Sequence, residues 1–272
     1  MWIRRSSSLI FFVRRWPNGF QCPLCGCGEY YTISTRRLPL YQCRVCRHQT
    51  TVTAGTVMYR SRTPLEKWLA AVDFLSSTEG VNAAQLAEGI GVSHKTAWLM
   101  LRKFRQAIHK AEADRKLTGT VHAGLRALAP SDFFVFLPWK HYKQERVILI
   151  GGSIGETGEP ALLKMNVVDA RHLVPDSKEL TPDGARALLA EFAGSGAQTT
   201  LLTDSRMCRS PLRDCFQDAK EWLNRLFYGL GTRYLQSYLD EYCYRRNVTA
   251  RSSSPRDEWM SLCLRHRCGS AA

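Results

Sequence analysis

The chain has 272 residues, of which 44% are hydrophobic and ten are cysteine, and its formal net charge is +14. That length and apolar content can bury a real core and allow one or two domains plus a small module. No stretch approaches the roughly 20 apolar residues of a membrane helix. The apolar run Leu9–Val13 is too short, and too closely followed by Arg14-Arg15, to read as a secretion signal, so a cytoplasmic protein with reduced thiols is expected.

The charge is uneven. Residues 1–60 hold nine arginines, no lysine and a single acid, Glu29. A short basic segment of this kind suggests a polyanion partner. Arginine suits bidentate phosphate or guanine contacts better than lysine does, and Arg44 and Arg47 are the candidates for DNA contact. Within the same segment, Cys22-Pro-Leu-Cys25 is answered by Cys43-Arg-Val-Cys46 after 17 intervening residues. Two such pairs at that spacing close a tetrahedral Cys₄ structural zinc site. Cys27 is read as a bystander. Cys208, Cys215, Cys243, Cys263 and Cys268 show no metal spacing.

A helical region follows. Thr63-Pro64-Leu65-Glu66 predicts a capped helix start, with Leu65, Trp68, Leu69, Val72 and Leu75 as its core stripe. Asn82 predicts a cap for a short helix over 83–88. After a turn at Gly89–Val92, Ser93 caps a second helix through His109, with Ala97, Leu101, Phe104 and Ile108 buried. Two helices joined by a short glycine-containing turn are a helix-turn-helix pattern. Ser93, His94, Lys95 and Thr96 would then face DNA from the start of the second helix.

From residue 119 the pattern changes. Thr120–Leu125, Phe133–Leu137, Arg146–Ile154 and Pro160–Val168 read as strands, the last two paired around a Gly-Glu-Thr-Gly-Glu turn. Thr181-Pro182-Asp183 opens a helix to about Ala193, and Thr199–Asp204 reads as a buried strand ending in a carboxylate. The expected class is α/β or α+β. Gly151-Gly152 matches no phosphate-loop motif. Phe216, Ala219, Trp222, Leu223 and Leu226 form one C-terminal packing stripe, and Tyr234, Leu235, Tyr238, Leu239 and Tyr242 form another. The basic, Ser-rich tail from Arg245 reads as frayed.

Two long stretches carry a resemblance. Arg15-Trp-Pro-Asn-Gly-Phe-Gln-Cys-Pro-Leu-Cys-Gly26 and Tyr41-Gln-Cys-Arg-Val-Cys-Arg-His-Gln-Thr-Thr-Val-Thr-Ala-Gly-Thr56 resemble the N-terminal zinc ribbon of the ISXO-like insertion-sequence transposases. Pro64–Trp68, Lys95–Arg105, Trp222-Leu223 with Gly231-Thr232, and Tyr234–Asn247 extend the likeness, which is dense over the first hundred residues and patchier after them. Residues 1–13 match nothing in that family.

The resemblance implies a zinc ribbon over 15–56, a helix-turn-helix-like DNA-binding region over 62–112, an RNase H-like mixed sheet with flanking helices over 117–247, and a basic flexible tail over 248–272. It also implies DNA strand cleavage and transfer at the element's inverted repeats, self-association on DNA, and a Mg²⁺ or Mn²⁺ site built from acids, since hard cations take carboxylate oxygens. The family's second acid falls on Asp204, and its third position with the following lysine on Asp218 and Lys220. The first position reads Gly124, on a strand that otherwise fits. The stretch between Asp204 and Asp218 is also shorter than the family's. Asp132 is the nearest other acid, and His122 reads as structural. The expectation is therefore a transposase by descent with impaired catalysis. The competing reading is a non-catalytic DNA-binding protein that represses or competes with intact copies. An RNA-binding role is disfavoured, because A-form grooves exclude a recognition helix.

Overall fold

The computed structural model describes residues 2–77, 79–128, 145–227, 230, 232–252 and 254–265. The expected strand at Phe133–Leu137, and Asp132, lie outside the described residues. The chain divides into two compact units, one of residues 1–107 with 254–272 and one of residues 108–253.

The first unit opens with helix α1 (Trp2–Arg15). Strands β1 (Tyr30–Ile33), β2 (Leu40–Cys43) and β3 (Gln49–Thr50) follow as an antiparallel sheet in the order β1-β2-β3. Strand alternation divides this small sheet by chemistry. Tyr30 and Tyr41 turn inward and join Phe12, Trp16 and Phe20 in an aromatic cluster with ring centroids 4.8–6.1 Å apart. Residues 2–13, for which the sequence offered no expected element, are helical, and Phe11 is fully buried. Arg15 contributes to packing too: its guanidinium donates to the Val52 carbonyl at 2.7 Å and the Thr51 carbonyl at 3.1 Å, and burial lowers its pKa.

Helix α2 (Leu65–Leu75) starts one residue later than predicted. Pro64 is its N-cap and no side chain caps it, so the expected Thr63 cap does not form. The Thr63 N–H instead donates to Ser61 Oγ at 3.1 Å, which commits that residue to the preceding turn. Leu65, Trp68, Val72 and Leu75 are buried as expected, while Leu69 is half-buried. Helix α3 (Ala83–Ile90) carries the expected Asn82 cap, with a reciprocal bond from Gln85. It ends at Gly91, where φ of +63° is a left-handed position that glycine occupies without penalty. Val92 and Ser93 complete the turn into α4 (His94–Ala113), four residues longer than predicted. The division between the two units falls within α4.

The tail is a correction. Helix α9 (Pro255–Arg265) buries Trp259, Met260, Leu262, Cys263 and Leu264, and Trp259 meets Phe104 at 6.1 Å. The Ser/Arg composition masks an apolar run dense enough to pack into the first unit.

In the second unit, β4 (Thr120–Leu128), β5 (Arg146–Ile154), β6 (Pro160–Val167) and β7 (Gln198–Leu201) form a mixed sheet ordered β6-β5-β4-β7. β4 and β6 each pair antiparallel with β5, and β7 lies parallel to β4. Helix α5 (Pro182–Phe192), capped by Thr181, covers one face with Leu188 and Phe192. Short helix α6 (Asp204–Met207), α7 (Pro211–Phe227) and α8 (Leu235–Arg251) cover the other. Burial on both faces explains the continuous apolar run Val147-Ile-Leu-Ile150. Gly151 and Gly152 serve packing: a Cβ on either would come within 3.0 Å of Phe192, or of Pro160 and Leu212. The five residues of the α7 stripe are all buried. In the second C-terminal stripe Leu235, Leu239 and Tyr242 are buried, but Tyr234 is exposed. β7 departs from its expected buried state. It is an edge strand with all four residues exposed, and Asp204 opens α6 rather than ending the strand.

α8 also closes the far edge of the sheet. Asn247 accepts the Leu163 N–H at 2.8 Å and donates to its carbonyl at 2.9 Å. Gln236 does the same for the Val167 N–H and the Met165 carbonyl. Two side-chain amides therefore stand in for a missing strand beside β6.

Candidate functional site

The cysteines come first. Each knuckle is built alike. The Cys22 N–H donates to the Cys27 carbonyl and the Gly26 N–H to the Cys22 carbonyl; the Cys43 N–H donates to the His48 carbonyl and the Arg47 N–H to the Cys43 carbonyl. The residue after the second cysteine is left-handed in both turns, Gly26 at φ +74° and Arg47 at φ +61°. The folded knuckles bring Cys22 and Cys46 sulfurs to 3.5 Å and Cys25 and Cys43 sulfurs to 3.6 Å, and all four lie within 4.8 Å of one another. A tetrahedral zinc with Zn–S of about 2.3 Å requires sulfurs about 3.8 Å apart.

The donor set fits that ion. The Cys43 sulfur accepts the Cys46 N–H and, against desolvation, the Val45 N–H, which holds its thiol down to about 6. Cys46 receives the His48 N–H, yet burial and the Cys25, Cys22 and Cys43 sulfurs push it up to about 12. Four thiols this close do not all ionise unless a cation sits among them. Cys27 stays outside the set, as expected, accepting the Glu29 N–H at 3.4 Å.

The match to known families falls on this module. Residues 7–49 match the transposase zinc-ribbon domain. The four cysteines are therefore positioned to bind zinc as in a zinc ribbon, and the N-terminal module is similar to that of transposases. The matched segment begins inside α1, ahead of Arg15 where the resemblance starts, and the remainder of the chain lies outside it. No curated protein matches the chain, and no solved structure does. No helix among the described residues is long and apolar enough to cross a membrane.

Arg44 and Arg47 are both exposed on the second knuckle. Arg44 lies 4.6 Å over the Tyr31 ring and 3.8 Å from Glu29. At the start of α4, His94 and Lys95 are exposed. Ser93 and Thr96 are engaged with each other, their hydroxyls 2.9 Å apart and Ser93 Oγ accepting the Thr96 N–H at 3.2 Å.

In the second unit the acids do not gather. Gly124 lies on β4 facing Met207, and a Cβ there would fall 2.7 Å from the Met207 sulfur. Arg126, two residues on and on the same face, donates to Asp204 at 2.5 Å and to the Cys208 sulfur at 3.4 Å. Asp218, exposed on α7, has Arg246 of α8 at 3.9 Å. Lys220, half-buried, lies on the same helix. A cavity of about 700 Å³ is lined by Leu125, Val147, Leu180 and Met207 together with Arg126 and Asp204. Apart from the four cysteines, no three metal-ligating groups converge among the described residues. These residues do not fit a divalent-cation site of the Mg²⁺ or Mn²⁺ kind, which requires converging oxygen ligands. Sequence reasoning missed Arg126 and Met207. The strand period puts Arg126 on the face of Gly124, but its partner is set by tertiary contact.

Proposed function

We propose that the chain is a DNA-binding protein of insertion-sequence transposase descent, of the ISXO-like kind, whose RNase H-like domain no longer carries out strand cleavage and transfer. The observation that carries this is the 2.7 Å approach of Met207 to the Cβ position of Gly124. A carboxylate at residue 124 would displace a side chain that now belongs to the core. The Arg126–Asp204 pair supports the same reading, because a guanidinium supplies to Asp204 the positive charge that a metal would supply.

The sheet order supports the RNase H-like fold: three antiparallel strands, then a helix, then a strand parallel to the first and beside it. The zinc ribbon and its basic surface support DNA as the partner. Arg44 and Arg47 would contact phosphate or guanine. His94 and Lys95 would approach DNA from the start of α4, with Ser93 and Thr96 holding the helix end. A protein that grips the inverted repeats without cutting them competes with intact copies.

The test is purified, zinc-loaded protein with its own element ends and Mg²⁺ or Mn²⁺. Binding to the terminal repeats without strand cleavage is expected. Efficient cleavage would overturn the loss of catalysis, and absence of DNA binding would overturn the whole reading.

A further inference from the structure

The outer face of the ribbon sheet is covered at one end, where Leu40 is buried and Ile33 half-buried, and open at the other. Tyr31 stands opposite Gln42, and Gln42 opposite Gln49, across all three strands. Directly opposed residues share a face. This row lies on the side away from Tyr30 and Tyr41, whose rings pack against Phe12 and Trp16. Tyr31 is 55% exposed, and Gln49 is exposed as well. Neither stability nor zinc binding requires two glutamines and an exposed tyrosine in register.

We infer that this outer face reads base edges in the major groove of duplex DNA, with Gln42 and Gln49 as the reading residues and Arg44 as the anchor. The inference rests on the DNA-binding reading above. Gln49 Nε2 donates to Gln42 Oε1 at 3.1 Å. The linked pair still presents an amide N–H from Gln42 and an amide oxygen from Gln49, and the side chains are held in one arrangement. That donor and acceptor match adenine, which offers N7 and the N6 amino group in the major groove. Glutamine carries no charge, so phosphate draws it less than it draws Arg44 and Arg47, which suit the backbone at the knuckle end. The major groove, about 12 Å wide, admits a two-stranded β-ribbon, and β2 and β3, which carry Gln42 and Gln49, form such a pair. Arg44 stacked on Tyr31 holds a guanidinium at one end of the row. Glu29 lies 3.8 Å from Arg44, and it suits a cytosine amino group rather than phosphate.

The experiment selects binding sites for the full zinc-loaded chain from a random duplex library. It then measures Gln42→Ala, Gln49→Ala, Arg47→Ala and Lys95→Ala on the selected and a shuffled duplex, with zinc content confirming that each ribbon is folded. Each glutamine variant is expected to lose roughly 5- to 100-fold on the selected site, at adenine positions, and little on the shuffled one. Arg47→Ala should weaken both duplexes alike and lower the salt slope by about 1. The inference is overturned if zinc-loaded Gln42→Ala and Gln49→Ala keep the full preference, if Lys95→Ala alone abolishes it, or if duplex RNA competes equally. If the unaltered chain binds no duplex at all, the DNA-binding reading itself fails.

Discussion

Gly26 and Arg47 occupy equivalent places in the two knuckles, and they differ in what the left-handed backbone costs them. A non-glycine residue there is disfavoured by about 1–2 kcal/mol, because Cβ crowds the carbonyl oxygen. Arg47→Gly is therefore expected to stabilise the ribbon by about 1 kcal/mol, read as slower zinc loss to a competing chelator. Unchanged or faster loss would show that Arg47 makes a compensating contact. A strained arginine at an exposed knuckle is the pattern expected where charge at that position serves a ligand rather than the fold. Gly124 is a residue of the opposite kind: its backbone is ordinary, and what it supplies is the room that Met207 fills.

At the scale of elements, α8 decides whether the mixed sheet has an open edge. Asn247 is 2% exposed, and its amide satisfies both backbone groups of Leu163. Asn247→Ala would leave a buried N–H and a buried carbonyl unpaired, and is expected to destabilise the second unit by about 2–4 kcal/mol. Chemical denaturation should show this as a lower midpoint. A shift below about 0.5 kcal/mol would mean that water takes over both bonds. The buried Glu241–Arg245 pair, at 2.9 Å one turn earlier on the same helix, keeps its charges matched inside that core.

The chain divides into two compact units, and the zinc ligands lie in the first. Chelation is therefore expected to remove one thermal transition, along with DNA binding, and to leave the melting of residues 108–253 in place. Calorimetry with and without chelator checks this, and loss of both transitions would show that the units fold as one. Much of this plan was legible in the sequence. Paired cysteines at a fixed spacing report a tetrahedral site, because the ligands lie within a few residues of each other on two turns. The Asn82 cap, the α7 stripe and the hairpin of β5 and β6 were legible for the same reason: each is a local pattern with a period. What sequence alone left undecided depends on partners distant in the chain. Nothing local announces that Met207 fills the space over Gly124, that Arg126 reaches Asp204 across 78 residues, or that α9 packs beside Phe104. The sequence by itself determined the four zinc-site cysteines and the glycine at position 124. Only the tertiary structure decided that Met207 fills the space over that glycine, because a vacancy in a packed core is filled by whichever side chain the fold brings there.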